Sequence, residues 1–185
     1  MARENAPITA LLAALVVAAY GLELGFGGMA ACDEYGLVPV RWSVGTALSS
    51  MFLHDPTGWA HLGGNLVFLV VFGAIVEQAL GSLGFAALYA LAGLGGAAMH
   101  CLVNPSSTDP LVGCSGALFG LMAVAAVLRP RMLGFVVAYM GLNVWYAIMG
   151  GAGNVSFGCH IGGFAVGFLA VVALRAVDSE TLEAA

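Results

Sequence analysis

The chain has 185 residues, of which 61% are hydrophobic and 8% charged, and its mean hydropathy is +1.00. A water-soluble domain carries roughly 25% charged residues, so an ordinary soluble globule is excluded, and apolar content this high also excludes disorder. A net charge of −5, with five arginines and no lysine, leaves no basic footprint for a nucleic-acid partner. The 27 glycines follow no G-X-Y period, which removes collagen. A polytopic membrane protein remains, and the length suits one domain.

A hydrocarbon core of ~30 Å takes about 20 apolar residues per helix. In chain order the stretches that qualify are about 8–29, 61–80, 84–103, 114–129, 132–150 and 158–177, followed by a short polar tail over 178–185. The first has the position of a signal peptide. Its apolar run exceeds a typical signal h-region and more spans follow, so it is read as retained. The one long connection, from Ala31 to Ala60, mixes Asp33, Glu34, Arg41, Trp42, Asp55 and Trp59, a composition suited to the headgroup level. Six spans starting inside leave Arg3, Arg129, Arg131 and Arg175 on the inner side and Arg41 alone outside. That distribution obeys the positive-inside rule and predicts an N-in, C-in all-α bundle.

Polar side chains inside spans are costly and mark candidate sites. Three clusters stand out: His61 with Asn65, the run Gly113-Cys114-Ser115-Gly116, and His160. Each also has a structural reading, as a polar tie between helices or as small residues that permit close packing. Depth favours the functional one. Ser115 lies 14 residues before Arg129 and His160 lies 15 before Arg175, or about 21 and 22 Å along a helix. His61 and Asn65 lie about 24 and 18 Å from Glu77 by the same rise. All four therefore fall in one layer, roughly 10 Å below the outer surface.

Small residues point to the helix pair that would join them. Gly116/Gly120 and Gly163/Gly167 are small-xxx-small pairs starting beside Ser115 and one turn beyond His160. If those faces meet, the serine reaches the imidazole. A neutral histidine then serves as the base that activates the hydroxyl. His61 and Asn65, one helical turn apart, share a face and are candidate donors to an oxyanion, together with backbone N–H groups at Ser115. Asp55 and Asp109 belong to loops and Glu77 to the far end, so a Ser–His dyad rather than a triad is expected. Hydrolysis would further require a small wet cavity open to the outside.

These residues resemble a known family. Phe52-Leu53-His54 with Trp59-Ala60-His61-Leu62-Gly63-Gly64-Asn65 is similar to the start of the second core helix of rhomboid intramembrane serine proteases. Phe72-Gly73 with Glu77-Gln78-Ala79-Leu80-Gly81 resembles the inner end of that helix, and Gly113-Cys114-Ser115-Gly116 the Gly-x-Ser-Gly nucleophile motif. Cys159-His160-Ile161-Gly162-Gly163 resembles the histidine motif of the last core helix; the agreement covers about residues 45–175. The resemblance implies a six-transmembrane-helix rhomboid-like bundle that cleaves single-pass transmembrane substrates, with membrane lipids as its surroundings. It implies Ser115 as nucleophile, His160 as base, and His61, Asn65 and the Ser115 N–H as oxyanion hole, supported by Gly113, Gly116, Phe119, Gly163 and Gly167, with no cofactor and no metal. The long first loop would be embedded in one leaflet, and the outer end of the fifth span would form a lateral gate. Two departures concern Phe119, where some members carry tyrosine, and Arg41-Trp42, which reverses the family's Trp-Arg order.

The rival from another class is a catalytically silent rhomboid-like protein that binds membrane clients; the presence of both Ser115 and His160 favours the enzyme. A proton pathway is disfavoured because Leu66 to Phe72 offers nothing that conducts. His54 is read as a structural tie in the first loop and His100 as interfacial. Cys32, Cys101, Cys114 and Cys159 are expected as free thiols. The metalloprotease signature His-Glu-x-x-His is lacking. Composition and the lack of extra domains suggest a prokaryotic inner membrane. Substrate identity and oligomeric state are not encoded in any motif.

Overall fold

The structure, a computed structural model, describes residues 5–149 and 156–183, with side chains through Arg175. Arg3 and most of the expected 151–157 loop lie outside the described residues. The chain is helical, and the only bridge between extended segments among the described residues is the isolated antiparallel pair Leu37–Leu111. Helix α1 covers Pro7–Gly25, with proline in the first turn, where its missing N–H costs nothing. It ends earlier than the 8–29 stretch suggested. Gly27 and Gly28 adopt φ +97 and +55, and these left-handed residues turn the chain out of the helix.

The first loop then folds into α2 (Met29–Tyr35), a single 3₁₀ turn (Pro39–Arg41) and α3 (Val44–Ser49). Ser43 and Thr46 close a capping box at the start of α3. Trp42 and Trp59 are 63% and 69% exposed, as expected for side chains at a headgroup boundary.

Helix α4 (Trp59–Phe68) passes through a wide π turn (Leu69–Gly73) into α5 (Ala74–Val103). Gly81 interrupts α5 with φ +72 and ψ +168, so the long apolar stretch is two limbs and not one rod. Only glycine holds that conformation at low cost. The remaining helices are α6 (Ser115–Leu128), α7 (Leu133–Ile148) and α8 (Phe157–Glu183). The backbone of α8 runs through most of the stretch assigned to a polar tail.

Helix α6 explains the packing. Every residue from Gly116 to Ala126 is buried, and the most extensive helix contacts join α5, α6 and α8. A 14-residue helix covered on all sides through its middle suits the interior of a bundle and not its lipid-facing rim. The outer helices instead turn large apolar side chains outward, including Leu83, Leu102, Ile148 and Phe168. In water such a surface would drive aggregation; in lipid it is the solvent-facing side. Among the described residues four segments are long and apolar enough to cross a membrane, one of them being the broken Trp59–Val103 stretch.

Glu77 is not a marker exposed at the membrane boundary. It is 2% exposed and accepts hydrogen bonds from the backbone N–H groups of Ile8 at 2.9 Å and Thr9 at 2.8 Å. Ser82 Oγ donates to the same carboxylate at 2.7 Å. The carboxylate thus caps the free N–H groups at the positive end of α1 and brings the start of that helix to the Gly81 turn.

Candidate active site

Ser115 is the first residue of α6, and the preceding Gly113 has φ +111, a left-handed entry that turns the loop into the helix. The Gly113 N–H donates to Ser50 O at 2.9 Å, tying this loop to the end of α3. The residue before the helix, Cys114, makes no side-chain cap to the start of α6.

His160 lies in the first turn of α8, and its Nε2 is 2.8 Å from Ser115 Oγ. The helices come close enough because glycines face each other. A Cβ on Gly163 would stand 1.9 Å from Gly116 O, and one on Gly167 would stand 2.2 Å from Gly120 O. Ala92 and Gly96 of α5 close the third side against Gly120 and Gly116. Phe119 stacks on the His160 ring at 4.2 Å and 12°, and Phe157 meets it edge-on at 6.3 Å.

The other imidazole and amide approach from α4. A Cβ on Gly113 would lie 2.8 Å from His61 Nε2 and 3.3 Å from Asn65 Nδ2, so both side chains border the entry to α6. His61 Nδ1 accepts from the Asp55 N–H at 3.3 Å. With Nδ1 an acceptor, the neutral ring carries its proton on Nε2, the atom beside Gly113. His61 therefore presents a donor beside Gly113, at the entry to α6.

Asn65 Nδ2 is 2.9 Å from His54 Nε2. His54 is fully buried, and its backbone N–H donates to Glu23 Oε2 at 3.0 Å. Cys32 Sγ donates to Glu23 Oε1, also at 3.0 Å. A buried carboxylate, a thiol and an imidazole thus brace Asn65 from behind and fasten the first loop to α1. Sequence reasoning passed over Glu23 because it sits near the end of an apolar span; its signal was an acid inside that span.

Burial, with His61 alongside, pushes the His54 imidazole from 6.5 down to about 4. The folded chain then holds this ring neutral while the unfolded chain protonates it near pH 6.5. Stability is fully present above that pH and falls as the pH drops toward 4. The unfolding midpoint in mild detergent is expected to decline over this window, and to decline less in His54→Gln. Equal slopes for the two proteins would refute a titrating His54.

His100 is half-buried at the end of α5, and its Nδ1 lies 2.6 Å from Ser156 Oγ, joining that end to the start of α8. All four cysteines are free thiols. An apolar cavity of about 490 Å³, lined by Leu37, Trp42, Leu94, Ala97, Cys101 and Pro105, opens between the first loop and α5. None of the residues around Ser115 and His160 lines it.

A family profile described as Rhomboid domain matches residues 41–177. The chain belongs to the rhomboid family. RHOMBOID-like protein 5 of Arabidopsis thaliana is 33% identical over 137 residues, covering 69% of this chain and 42% of that protein. Rhomboid protease GluP of Bacillus subtilis (strain 168) is 31% identical over 133 residues, 69% of this chain and 25% of its own length. Rhomboid-like protein 11, chloroplastic, of Arabidopsis thaliana is 37% identical over 82 residues, 44% of this chain and 28% of that protein. The chain thus spans less than half the length of these relatives.

The rhomboid site holds one further group that the sequence reading did not single out. Asn143 of α7 is 5% exposed, and its Oδ1 lies 2.6 Å from His160 Nδ1. Its signal was a lone amide within the apolar run of α7.

Proposed function

We propose that this rhomboid is an intramembrane serine endopeptidase acting on single-pass transmembrane proteins, and that residues 1–185 act as one membrane domain. The observation that carries the reading is the 2.8 Å, part-buried contact between Ser115 Oγ and His160 Nε2 at the starts of two helices. Ser115 Oγ would attack the scissile carbonyl carbon while His160 Nε2 takes the hydroxyl proton. The Ser115 N–H, His61 Nε2–H and an Asn65 amide N–H would donate to the carbonyl oxygen as it becomes an oxyanion. Collapse breaks the peptide C–N bond, and the leaving amine receives the proton from His160. Water activated by the same ring then hydrolyses the acyl ester and regenerates Ser115.

A six-crossing, N-in arrangement supports this chemistry. The two limbs around Gly81 count as separate crossings, and α6 counts as one despite its length. Arg129, Arg131 and Arg175 are exposed and would share the inner side. Several relatives carry chloroplast or mitochondrial names and one is bacterial, so kinship gives no support to a prokaryotic plasma membrane in particular. The proposed location is a multi-pass place in a membrane.

The test needs no substrate. Purified protein in mild detergent is treated with a fluorophosphonate, and the adduct is located by mass spectrometry. Labelling at Ser115 supports the enzyme. A folded protein that stays unlabelled would move the client-binding reading to first place.

A further inference from the structure

On the reading that His160 is the base, we infer that Asn143 is a positioning residue that sets the tautomer and ring orientation of His160. The argument starts from the amide. Asn143 Nδ2 donates to Tyr139 O at 2.8 Å, the carbonyl one turn earlier in α7. A backbone carbonyl only accepts, so the NH₂ end of the amide must face it. That leaves Oδ1 toward His160, where it lies 2.6 Å from Nδ1. An amide oxygen also only accepts, so Nδ1 carries the ring proton and the lone pair is left on Nε2, the atom facing Ser115 Oγ.

Two neighbouring histidines are thereby held in opposite forms. His61 accepts at Nδ1 and keeps its proton on Nε2, whereas His160 donates at Nδ1 and keeps Nε2 bare. The first suits an oxyanion donor and the second a general base. Free imidazole favours the Nε2–H form in water, so His160 needs a partner to hold the other one. Phe119 stacks flat on the ring and restrains its plane, but an apolar face has no preference between the two nitrogens.

Burial supports a dedicated role. Among the described residues of α7 only Val136 and Asn143 are buried; Asn143 spends a buried amide on this one contact and its own helix. An amide left without partners at such depth would be costly, and here both its ends are satisfied. Asn143 contributes a dipole and no charge. Asn143 therefore steadies the imidazolium formed when Ser115 gives up its proton through a hydrogen bond and not through an ion pair.

The test compares Asn143→Leu, which keeps the volume and removes the acceptor, with Asn143→Asp, which keeps an acceptor oxygen. Two readouts are taken on folded protein in detergent: the rate of fluorophosphonate labelling at Ser115, and the ¹⁵N chemical shifts of histidine-labelled protein. Wild type is expected to show His160 as the Nδ1–H tautomer. Asn143→Leu should populate the Nε2–H form and label about 10- to 100-fold more slowly, a loss that at most reaches the lower end of what a positioned base supplies. Asn143→Asp should retain the tautomer and most of the rate. An unchanged tautomer in Asn143→Leu would overturn the inference, even with slower labelling, because the loss would then lie in packing. If wild type is folded but unlabelled, the nucleophile reading fails, and the ¹⁵N shifts still decide whether Asn143 holds the ring.

Discussion

Replacing Ser115 by alanine is expected to abolish fluorophosphonate labelling, and replacing His160 by alanine to slow it by about 10⁴-fold to 10⁶-fold. The serine hydroxyl is a poor nucleophile until its proton has somewhere to go, and His160 Nε2 at 2.8 Å is the base within reach. Groups that act as one unit are not additive, so each single variant should remove nearly the whole rate and the double variant should be no worse. Whatever peptide cleavage survives would come from binding and the oxyanion donors alone. Both exchanges shorten a side chain within a helix, so the fold should persist. The measurement is the labelling rate with thermal unfolding as the control. Rapid labelling of a folded His160→Ala protein would sink the proposed base.

Exchanging Gly163 for alanine is expected to cost more stability than any other single methyl in the bundle. The added carbon would stand 1.9 Å from Gly116 O and 2.6 Å from Gly116 C, both backbone atoms that no rotamer change can move. The helices α6 and α8 would have to part by about 1 Å or more, since close-packed interiors do not absorb such an overlap. Overpacking costs typically 1–3 kcal/mol, and this contact belongs at or above the upper end. On the proposed dyad the labelling of Ser115 should suffer as well, because His160 sits one turn away on the same helix. A displacement of about 1 Å costs on the order of 10²-fold. Thermal unfolding in detergent and the Ser115 labelling rate should both fall, whereas Gly21→Ala, which meets nothing within 4 Å, should change neither. Equal behaviour of the two variants would refute the close approach.

Much of this arrangement is visible in the linear chain because membrane helices obey strict rules. Backbone groups in lipid must bond within their own segment, so apolar runs translate into helices. The rise per residue then turns residue spacing into an expected depth, and Ser115 and His160, expected in one layer, meet at 2.8 Å. Chain ends and turns were less legible. Gly27 and Gly28 ended α1 early because φ above zero depends on where the first loop must pack, whereas the break expected between 61–80 and 84–103 falls at Gly81. Glu77 read as a boundary charge, yet it is buried, because its partners are N–H groups of α1 more than sixty residues away.

By itself the amino-acid sequence determined the apolar setting and the helical class, which follow from composition and long apolar runs, and the rhomboid resemblance, which follows from motifs in a fixed order. Tertiary structure alone decided which atoms meet. The Asn143–His160 bond, the Glu23–His54–Asn65 brace and the contact of Gly163 with Gly116 depend on how separate helices rotate and cross. That rotation is set by close packing summed over many weak contacts, which no single stretch of sequence carries.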